Sequence, residues 1–283
     1  MKFYNSHHIA KAEVMQLVLL ASIYGQKGSD GIYFQGGTAL RWCYGGSRFS
    51  EDLDFETHFP ASEILRLAAS IASRAEKMLV AHFGPGTLDL GTEKCDEPLC
   101  RIWFRFSIPG RRGKIPVKVD FQQLAGHLTP DSKPVIMGSL PQVAAMIRAG
   151  TLAIPQANAV WRVESLAEIM AGKVRALFER PDFKGRDFWD IWFLHHSLGV
   201  SLDPALLARK FAMYPFVQRH SRQELQEDTA GKKAPANVLD PVARDLERFV
   251  PPEIFQTLHE ENFAPLLRSV HEVLQDVPAG LLD

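Results

Sequence analysis

The chain has 283 residues, 46% of them hydrophobic and 23% charged, which are values of a globular protein and exclude a disordered chain. This length fits one large domain or two of ordinary size. The net charge of -1 excludes a uniformly basic surface, so any nucleic-acid partner would need a local basic patch.

The apolar runs and the cysteines indicate the cellular compartment of the protein. The longest apolar run near the N-terminus, Val14 to Tyr24, is too short to span a membrane, and no cleavage site of a signal peptide follows it. Of the three cysteines, Cys95 and Cys100 could pair, but their spacing is not that of a zinc knuckle, and we expect reduced thiols. The sequence therefore predicts a cytoplasmic protein without a membrane partner.

The first half of the chain mixes predicted helices and strands. Helical periodicity covers residues 9–25, a short strand at 31–35 leads into Gly36-Gly37, and a helix follows from Thr38 to Tyr44. Further along, we predict a strand at 53–57, a helix from 60 to about 82, and strands at 87–92, 100–108 and 114–122, the last two separated by the turn pair Pro109-Gly110. Such βα units with a β-meander predict an α/β or α+β sheet domain.

The second half is predicted to be helical. Residues 149–163, which include Gly150 and Pro155, have the composition of a crossover between the two halves. From Glu164 onward one helical pattern follows another, and the charged segment 223–234 is predicted to be an exposed loop.

Two aspartates follow the Gly-Gly helix in the sequence SEDLD. Because alternate side chains of a strand point to the same face, Asp52 and Asp54 should point together, with Leu53 directed into the core. Two adjacent like charges are costly unless a cation lies between them. The Gly36-Gly37 turn at the start of a helix offers backbone N–H groups to an anion. Together these features indicate a site for a metal–nucleotide complex.

A third carboxylate lies in the predicted strand IPVKVDFQ, residues 115–122. Lys118, Asp120 and Gln122 share one face of this strand, and apolar residues occupy the other. If the strand lies beside the first two aspartates, Asp120 completes a set of oxygen ligands that suits Mg²⁺ or Mn²⁺ better than Zn²⁺. In a two-metal arrangement, one ion would hold a triphosphate and the other would activate an attacking hydroxyl. The alternative is that Asp120 is simply the polar face of an amphipathic strand.

Lysine 173 stands out on the next predicted helix. On a helix from Ser165 to Glu179, Lys173 falls in the middle of the apolar stripe, and Arg180 falls close to it. Cations on such a stripe need an anionic partner, because burying an unpaired charge is prohibitive. The partner is either a nucleotide triphosphate or a carboxylate such as Asp187, on a helix from Arg186 to Ser197. Lys173 has both partners if Asp187 orients it toward the phosphates of the nucleotide.

Other polar residues have weaker patterns. Arg41 and Arg48 flank the predicted site and could contact phosphates or water. Ser50 has no accompanying His/Asp pattern of a nucleophile, so we expect it to shape the turn before Asp52 or to touch phosphate. A local positive bias at residues 101–118 fits either a track for a phosphate backbone or a solvated strand edge. Its members are Arg101, Arg105, Arg111, Arg112, Lys114 and Lys118.

These motifs resemble the nucleotidyltransferase fold of the DNA polymerase β superfamily, and more specifically the AbiEii/AbiGii toxin family, which includes the MenT-type toxins. The first motif stands here as Gly36-Gly37-Thr38-Ala39-Leu40-Arg41 and Ser50-Glu51-Asp52-Leu53-Asp54, and the second as Lys173, Ala176-Leu177, Arg180, Arg186-Asp187 and Asp190. The wider superfamily usually has Gly-Ser where this chain has Gly-Gly, and a shorter gap between that motif and its aspartates. The toxin family departs from the superfamily in the same two ways as this chain. After residue 200 the sequence shows no useful resemblance.

The resemblance and the residues together predict an α/β (α+β) nucleotidyltransferase domain at residues 1–155. A helical domain at 156–283 is predicted to contribute Lys173 and Asp187 to the active-site cleft. We expect the metal ligands to be Asp52, Asp54 and Asp120, for Mg²⁺ with Mn²⁺ possible. The catalytic set adds Lys173 and Asp187 to these three. The residues expected to bind the nucleotide are Gly36, Gly37, Thr38, Arg41, Ser50 and Lys173.

The resemblance also implies a function and partners. It implies a toxin of a toxin–antitoxin pair that transfers a nucleotide from an NTP to RNA, with the tRNA 3′ end as the favoured acceptor. A cognate antitoxin, commonly a DNA-binding protein, would be its protein partner. The alternatives are transfer to a small molecule or a protein, and a catalytically idle regulator that binds a nucleotide or RNA.

Overall fold

The computed structural model describes residues 3–155, 157–215, 217–230 and 234–281. By contacts within the chain it divides into two compact units. The N-terminal unit comprises Ser6–Gly45 and Ser50–Glu164. The helical unit comprises Gly46–Phe49, the chain from Ser165 onward and the N-terminal segment through Asn5.

A mixed seven-stranded sheet forms the centre of the N-terminal unit. Its strands are β1 (Ile32–Gln35), β2 (Leu53–Thr57), β3 (Thr87–Asp96), β4 (Leu99–Ser107), β5 (Lys114–Gln123), β6 (Ser132–Ile136) and β7 (Val160–Glu164). In space their order is β3-β4-β5-β2-β1-β7-β6. The pairs β2–β5 and β1–β7 are parallel, and the other neighbouring pairs are antiparallel.

The α-helices of this unit, within the residues that the structure describes, are α1 (Ser6–Tyr24), α2 (Gly36–Cys43), α3 (Ala61–Phe83) and α4 (Pro141–Arg148). Every residue of α1 from Val14 to Tyr24 is buried, as expected for a helix with apolar residues on all sides. Helix α3 buries only the stripe that begins at Ile64 and ends at Leu79. Of the described helices, none is long and apolar enough to cross a membrane.

Aromatic stacking fixes the register of the three central strands. The ring of Phe55 in β2 lies 5.3 Å from that of Phe34 in β1 and 5.2 Å from that of Phe121 in β5, measured between ring centroids. All three side chains are buried. A slip of one residue would turn these rings into solvent, so their burial also fixes which residues lie on the opposite, polar face.

The helical unit contains seven α-helices in its described part. They are α5 (Leu166–Glu179), α6 (Gly185–Trp192), α7 (Pro204–Ala212), α8 (Arg222–Ala230), α9 (Ala236–Leu246), α10 (Pro252–Glu260) and α11 (Ala264–Gln275). A π-helical turn, Phe193–Ser197, continues α6. The Ser165 side chain caps α5 by accepting a hydrogen bond from the Glu168 N–H, which satisfies one of the free donors of the first turn.

Two strands correct the predicted organisation. The segment 149–163 was expected to be a crossover, but its end belongs to β7, which pairs with β1. Strand β6 was not predicted, because Pro134 in a five-residue segment is typical of a loop; an edge strand tolerates proline. The N-terminal unit therefore extends to Glu164, beyond the predicted boundary at residue 155.

The segment 223–234 is also corrected. It was predicted to be an exposed loop because it is charged, but Arg222–Ala230 forms helix α8. Leu225 and Thr229, one helical turn apart, are its buried residues, and α8 packs against α11. Two buried positions are too few for a periodicity signal. Residues 231–233 lie outside the described part of the chain.

The prediction of reduced thiols is wrong for one pair of cysteines. Cys95 of β3 and Cys100 of β4 form a disulfide. They are direct register partners in this hairpin, so the two side chains leave the same face of neighbouring strands. Cys43 is a free thiol.

Candidate functional site

The predicted acidic residues meet where β2 begins. Asp54 is the register partner of Gln35 in β1 and of Asp120 in β5. Neighbouring strands lie about 4.8 Å apart, and register partners point to the same face of a sheet. Asp54 and Asp120, far apart in the sequence, therefore leave the sheet side by side, and Asp52 lies just before the start of β2. We call Asp52, Asp54 and Asp120 the carboxylate site.

Two buried polar side chains hold the chain that leads into β2. The Gln16 Nε2 atom, in the middle of α1, donates to the backbone carbonyls of Ser50 at 2.6 Å and Glu51 at 3.2 Å. The Thr38 hydroxyl donates to the backbone carbonyl of Asp52. Because this hydroxyl is engaged by the protein, a contact between Thr38 and a nucleotide would come from its backbone N–H.

The start of helix α2 lies directly beside Asp54. Gly36 has φ = +76°, a conformation that favours glycine, and a Cβ atom there would lie 2.9 Å from Asp54 Oδ2. The preceding Gln35 forms no side-chain cap, and the first turn contains no acidic residue. The N-terminus of a helix carries partial positive charge and favours anions. An uncapped helix start, whose partial positive charge favours an anion, therefore lies next to a carboxylate.

Two cations bind carboxylates of this site. Lys118 Nζ lies 2.9 Å from Asp52 Oδ2 and 3.6 Å from Asp120 Oδ2. Burial alone would lower the pKa of Lys118, but Asp52 and Asp120 outweigh it and raise that pKa above its ordinary value. Arg101 binds both oxygens of Asp120, with Nε 3.0 Å from Oδ1 and Nη2 2.9 Å from Oδ2. These hydrogen bonds raise the pKa of Arg101, so both cations stay charged.

The chemistry of these donors fits a divalent cation. Carboxylate oxygens suit Mg²⁺ and Mn²⁺, and Lys118 Nζ already lies between Asp52 and Asp120, so the site attracts positive charge. Across the described ranges, no three His, Cys, Asp or Glu side chains converge closely enough to hold a metal ion together. A divalent ion held by all three carboxylates would therefore require them to move closer together and Lys118 to leave its position between Asp52 and Asp120.

Two predicted nucleotide-binding side chains have protein partners or are buried. Arg41, in α2, binds Glu13 of α1, with Nη2 2.8 Å and Nε 2.9 Å from Oε1. Ser50 is buried, and its carbonyl accepts the bond from Gln16 described above. Arg41 thus joins α2 to α1, while Ser50 lies in the turn before Asp52, as one of its two predicted roles requires.

The second predicted group lies within the helical unit. Lys173 Nζ, on α5, is 2.9 Å from Asp187 Oδ1 and 2.7 Å from Asp190 Oδ2, both on α6. The two aspartate side chains are only 3% exposed. The ion pair between the two helices, one of the alternatives left open by the sequence, is therefore present.

Two arginines complete this group. Arg48, from the segment Gly46–Phe49, makes a bidentate pair with Asp190 at 2.7 and 2.6 Å, and Arg180 Nη1 lies 3.0 Å from Asp187 Oδ2. Burial would raise the pKa of both aspartates, but Arg180 and Lys173 lower that of Asp187, and Arg48 and Lys173 lower that of Asp190. We call these five residues the ion-pair cluster. Its three cations exceed its two carboxylates by one positive charge, which favours an anion.

Comparison with known families assigns the chain. Residues 18–275 match the model of a family described as "Nucleotidyl transferase AbiEii toxin, Type IV TA system". The chain belongs to this family. As an AbiEii member the protein is a nucleotidyltransferase that uses an NTP, and the toxin–antitoxin character of the family implies an antitoxin partner. The match includes the helices after residue 200, where the sequence analysis found no resemblance.

Solved structures agree with the AbiEii fold. The chain is similar to a presumed nucleotidyltransferase from Helicobacter pylori, with 16% identity and a TM-score of 0.54 over 97% of this chain and 99% of the other. It is also similar to JHP933 from the same species, with 17% identity and a TM-score of 0.53 over 96% and 95%. At these identities the likeness concerns the fold. No curated protein matches the sequence.

Sequence reasoning missed several residues around the AbiEii motifs. Lys118 and Arg101 were assigned to a basic stretch, although Lys118 is two residues from Asp120 on the same strand face, a spacing that could have indicated a pair. Gln16 gave a weaker signal as a polar residue within the apolar run of α1. Arg48 was noted beside the site, but its bidentate pair with Asp190 depends on contacts that no local pattern reveals.

Proposed function

We propose that this protein is the toxin of a toxin–antitoxin pair that, with a divalent metal ion, transfers a nucleotide from an NTP to RNA, the 3′ end of tRNA being the favoured acceptor. The observation that carries the proposal is the position of Asp54, beside Asp120 on one side and the start of α2 at Gly36 on the other. Phosphoryl transfer needs both negative ligands for a cation and positive groups for phosphates in one place.

Asp52, Asp54 and Asp120 would hold the metal, Mg²⁺ or Mn²⁺. A bound ion would neutralise phosphate charge and polarise the phosphorus centre. The chain itself orients these ligands: Thr38 fixes the backbone of Asp52, and Arg101 fixes both oxygens of Asp120. Ligands held in this way need less reorganisation when a metal ion and the NTP bind, which lowers the barrier.

The first turn of α2 would bind the triphosphate. Backbone N–H groups at Gly36, Gly37 and Thr38 belong to a helix start without a side-chain cap, where an anion is stabilised by the helix dipole. A Cβ atom at position 36 would lie 2.9 Å from Asp54 Oδ2, so glycine is what allows the Asp54 carboxylate to lie directly beside the helix start. The predicted contributions of Lys173 and Asp187 to the nucleotide site rest on the family motif and on the excess positive charge of the ion-pair cluster.

The acceptor is tested by labelling. The purified protein is incubated with each α-labelled NTP, Mg²⁺ and total RNA, and the label is traced to RNA, protein or small molecules. We expect label at RNA 3′ ends. Label found only in protein or in small molecules would reject RNA as the acceptor while leaving the nucleotidyltransferase assignment intact.

The toxin role is tested in cells. Expression of the parent chain should inhibit growth, and Asp52→Ala should abolish inhibition because it removes a ligand of the carboxylate site. Glu63→Ala, which removes an exposed carboxylate on α3, is the matched control and should stay inhibitory. If Asp52→Ala inhibits growth as strongly as the parent, the proposal of a catalytic toxin is rejected in favour of a catalytically idle regulator that binds a nucleotide or RNA.

A further inference from the structure

The polar face of the sheet continues from Asp120 onto β4. Arg101, Trp103 and Arg105 alternate along this strand with buried Ile102 and Phe104, so the three point to the face opposite the core. Arg101 is the register partner of Asp120. Trp103 and Arg105 therefore follow the carboxylate site along one strand, at steps of about 7 Å for every two residues.

Most cations on this face are already paired. Arg101 binds Asp120, and Lys118 Nζ lies 2.9 Å from Asp52. Lys114 Nζ lies 2.6 Å from Asp89, the residue directly opposite Arg105 in the register. Within the part of the chain that the structure describes, Arg105 forms no ion pair, because Lys114 takes its facing carboxylate.

Arg105 lies against Trp103. Its guanidinium carbon is 5.0 Å from the centroid of the Trp103 ring, within the range of a cation–π contact. Gly91, opposite Trp103 on β3, makes room for this arrangement, since a Cβ there would lie 2.6 Å from Arg105 Nη1. The Trp103 indole N–H donates to Glu93 at 2.5 Å, which fixes the orientation of the ring.

We infer that Trp103 and Arg105, which we call the RNA platform, bind the single-stranded end of an RNA acceptor and direct it toward Asp120. This inference rests on the proposed transfer to RNA and names how the acceptor is recognised. A partly exposed indole offers a surface on which a base stacks, and the Arg105 guanidinium, without a carboxylate partner, is available to a phosphate.

The chemistry favours a single strand over a duplex. Bases stacked in a helix do not expose their faces, whereas the unpaired end of an RNA can place a base on an aromatic side chain. A flat aromatic ring beside a cation matches one nucleotide, with its base and its phosphate. The turn cations Arg111 and Arg112 are also exposed, but no aromatic residue accompanies them on the turn.

The experiment measures binding of a fluorescein-labelled single-stranded RNA of about 12 nucleotides by fluorescence anisotropy, with the full chain and without NTP or metal. We expect Trp103→Ala to weaken binding about tenfold, and Trp103→Phe to stay within about threefold of the parent, because a ring is kept. Equal affinity of the Trp103→Ala protein and the parent would overturn the inference. Circular dichroism confirms that the variants are folded.

Arg105→Ala provides a second test, in which the tryptophan itself is kept. It should weaken RNA binding about tenfold and reduce the slope of log affinity against log salt by about 0.7, the value for one phosphate contact to a single strand. Arg112→Ala removes the same charge from the exposed turn between β4 and β5 and should leave affinity and slope near those of the parent. Equal losses in Arg105→Ala and Arg112→Ala would show a diffuse charge effect and overturn the platform.

Failure of the inference is distinguishable from failure of the proposed function. If the parent labels RNA but Trp103→Ala leaves the KM for RNA unchanged, the platform is wrong and the RNA transfer stands. If the parent labels no RNA, the transfer is wrong, and the anisotropy measurement still decides whether Trp103 and Arg105 bind a single strand. In a supporting result, Trp103→Ala raises the KM for RNA about tenfold and leaves the KM for the NTP unchanged.

Discussion

The carboxylate site and the ion-pair cluster use the same residue types for different purposes. In the carboxylate site, the side chains of Asp52 and Asp120 are 23% and 13% exposed, and Lys118 lies between them. In the ion-pair cluster, Asp187 and Asp190 are 3% exposed and each binds two cations. The carboxylate site is open enough for Lys118 to be replaced by a cation from solvent. The ion-pair cluster cannot exchange its cations unless its helices separate.

This contrast in exposure suits the carboxylate site to binding and catalysis, and the ion-pair cluster to stabilising the fold. A partly exposed carboxylate loses little when its partner changes, so a metal ion can replace a lysine. Removal of a buried carboxylate that binds two cations leaves at least one of them without its carboxylate partner, which is strongly destabilising. Changes in the first region should therefore alter activity or metal affinity, and changes in the second should alter the stability of the fold.

The largest expected loss of stability follows from Asp190→Ala. This change leaves buried Arg48 without its carboxylate and removes one of the two carboxylates that bind Lys173, so we expect the free energy of unfolding to fall by about 3–5 kcal/mol in urea denaturation. Glu272→Ala is the control, because it breaks an exposed pair with His195 and should cost less than about 1 kcal/mol. A value for Asp190→Ala within the range of the control would remove the distinction between the two regions.

Acid should weaken the ion-pair cluster in a predictable direction. The pKa values of Asp187 and Asp190 are lowered in the folded protein, so both carboxylates stabilise it above the unfolded pKa of about 4, and this contribution is lost as the pH falls below that value. Each carboxylate adds at most about 1.4 kcal/mol per pH unit to the slope. Urea midpoints between pH 6 and pH 3 should fall less steeply for Asp190→Asn than for the parent. If the midpoints of both proteins fall in parallel with pH, the lowered pKa of Asp190 is not the cause of the loss of stability in acid.

A smaller effect is expected at Lys118. Because Lys118 Nζ competes for Asp52 and Asp120, Lys118→Met should increase the affinity of the protein for Mn²⁺ about tenfold, measured by electron paramagnetic resonance without NTP. Lys114→Met removes a cation of the same strand that binds Asp89, and its Mn²⁺ affinity should equal that of the parent. Weaker Mn²⁺ binding by Lys118→Met would mean that the lysine organises the ligands and does not compete with the ion.

The sequence predicted the parts of the site that depend on local periodicity. Strand β2 begins and ends where alternation placed it, at residues 53–57, and the polar face of β5 contains Asp120 as expected. That the two strands lie side by side was an assumption of the sequence analysis, and the register of Asp54 with Asp120 agrees with it.

What the sequence did not predict depends on contacts between distant residues or on weak edge signals. Strands β6 and β7 are short, and β6 contains Pro134, so their pairing is decided by the sheet and not by their own pattern. The bond of Gln16 to Ser50, in the turn before Asp52, joins residues 34 positions apart, whose approach is set by the whole fold. The disulfide between Cys95 and Cys100 depends instead on the register of the β3–β4 hairpin, which places the two cysteines directly opposite each other. Local sequence propensities do not predict contacts of this kind.

The central claim is that Asp54 and Asp120 act together in one nucleotidyl-transfer site. The most direct measurement compares the rate of label transfer from an α-labelled NTP to RNA for Asp54→Asn, Asp120→Asn and the double variant, with Asp89→Asn of the same unit as control. We predict that each single change lowers the rate by about 10²-fold or more and that the double variant is no slower than the singles, because one site is already disabled. An Asp120→Asn protein that transfers label at the rate of the parent would contradict this account.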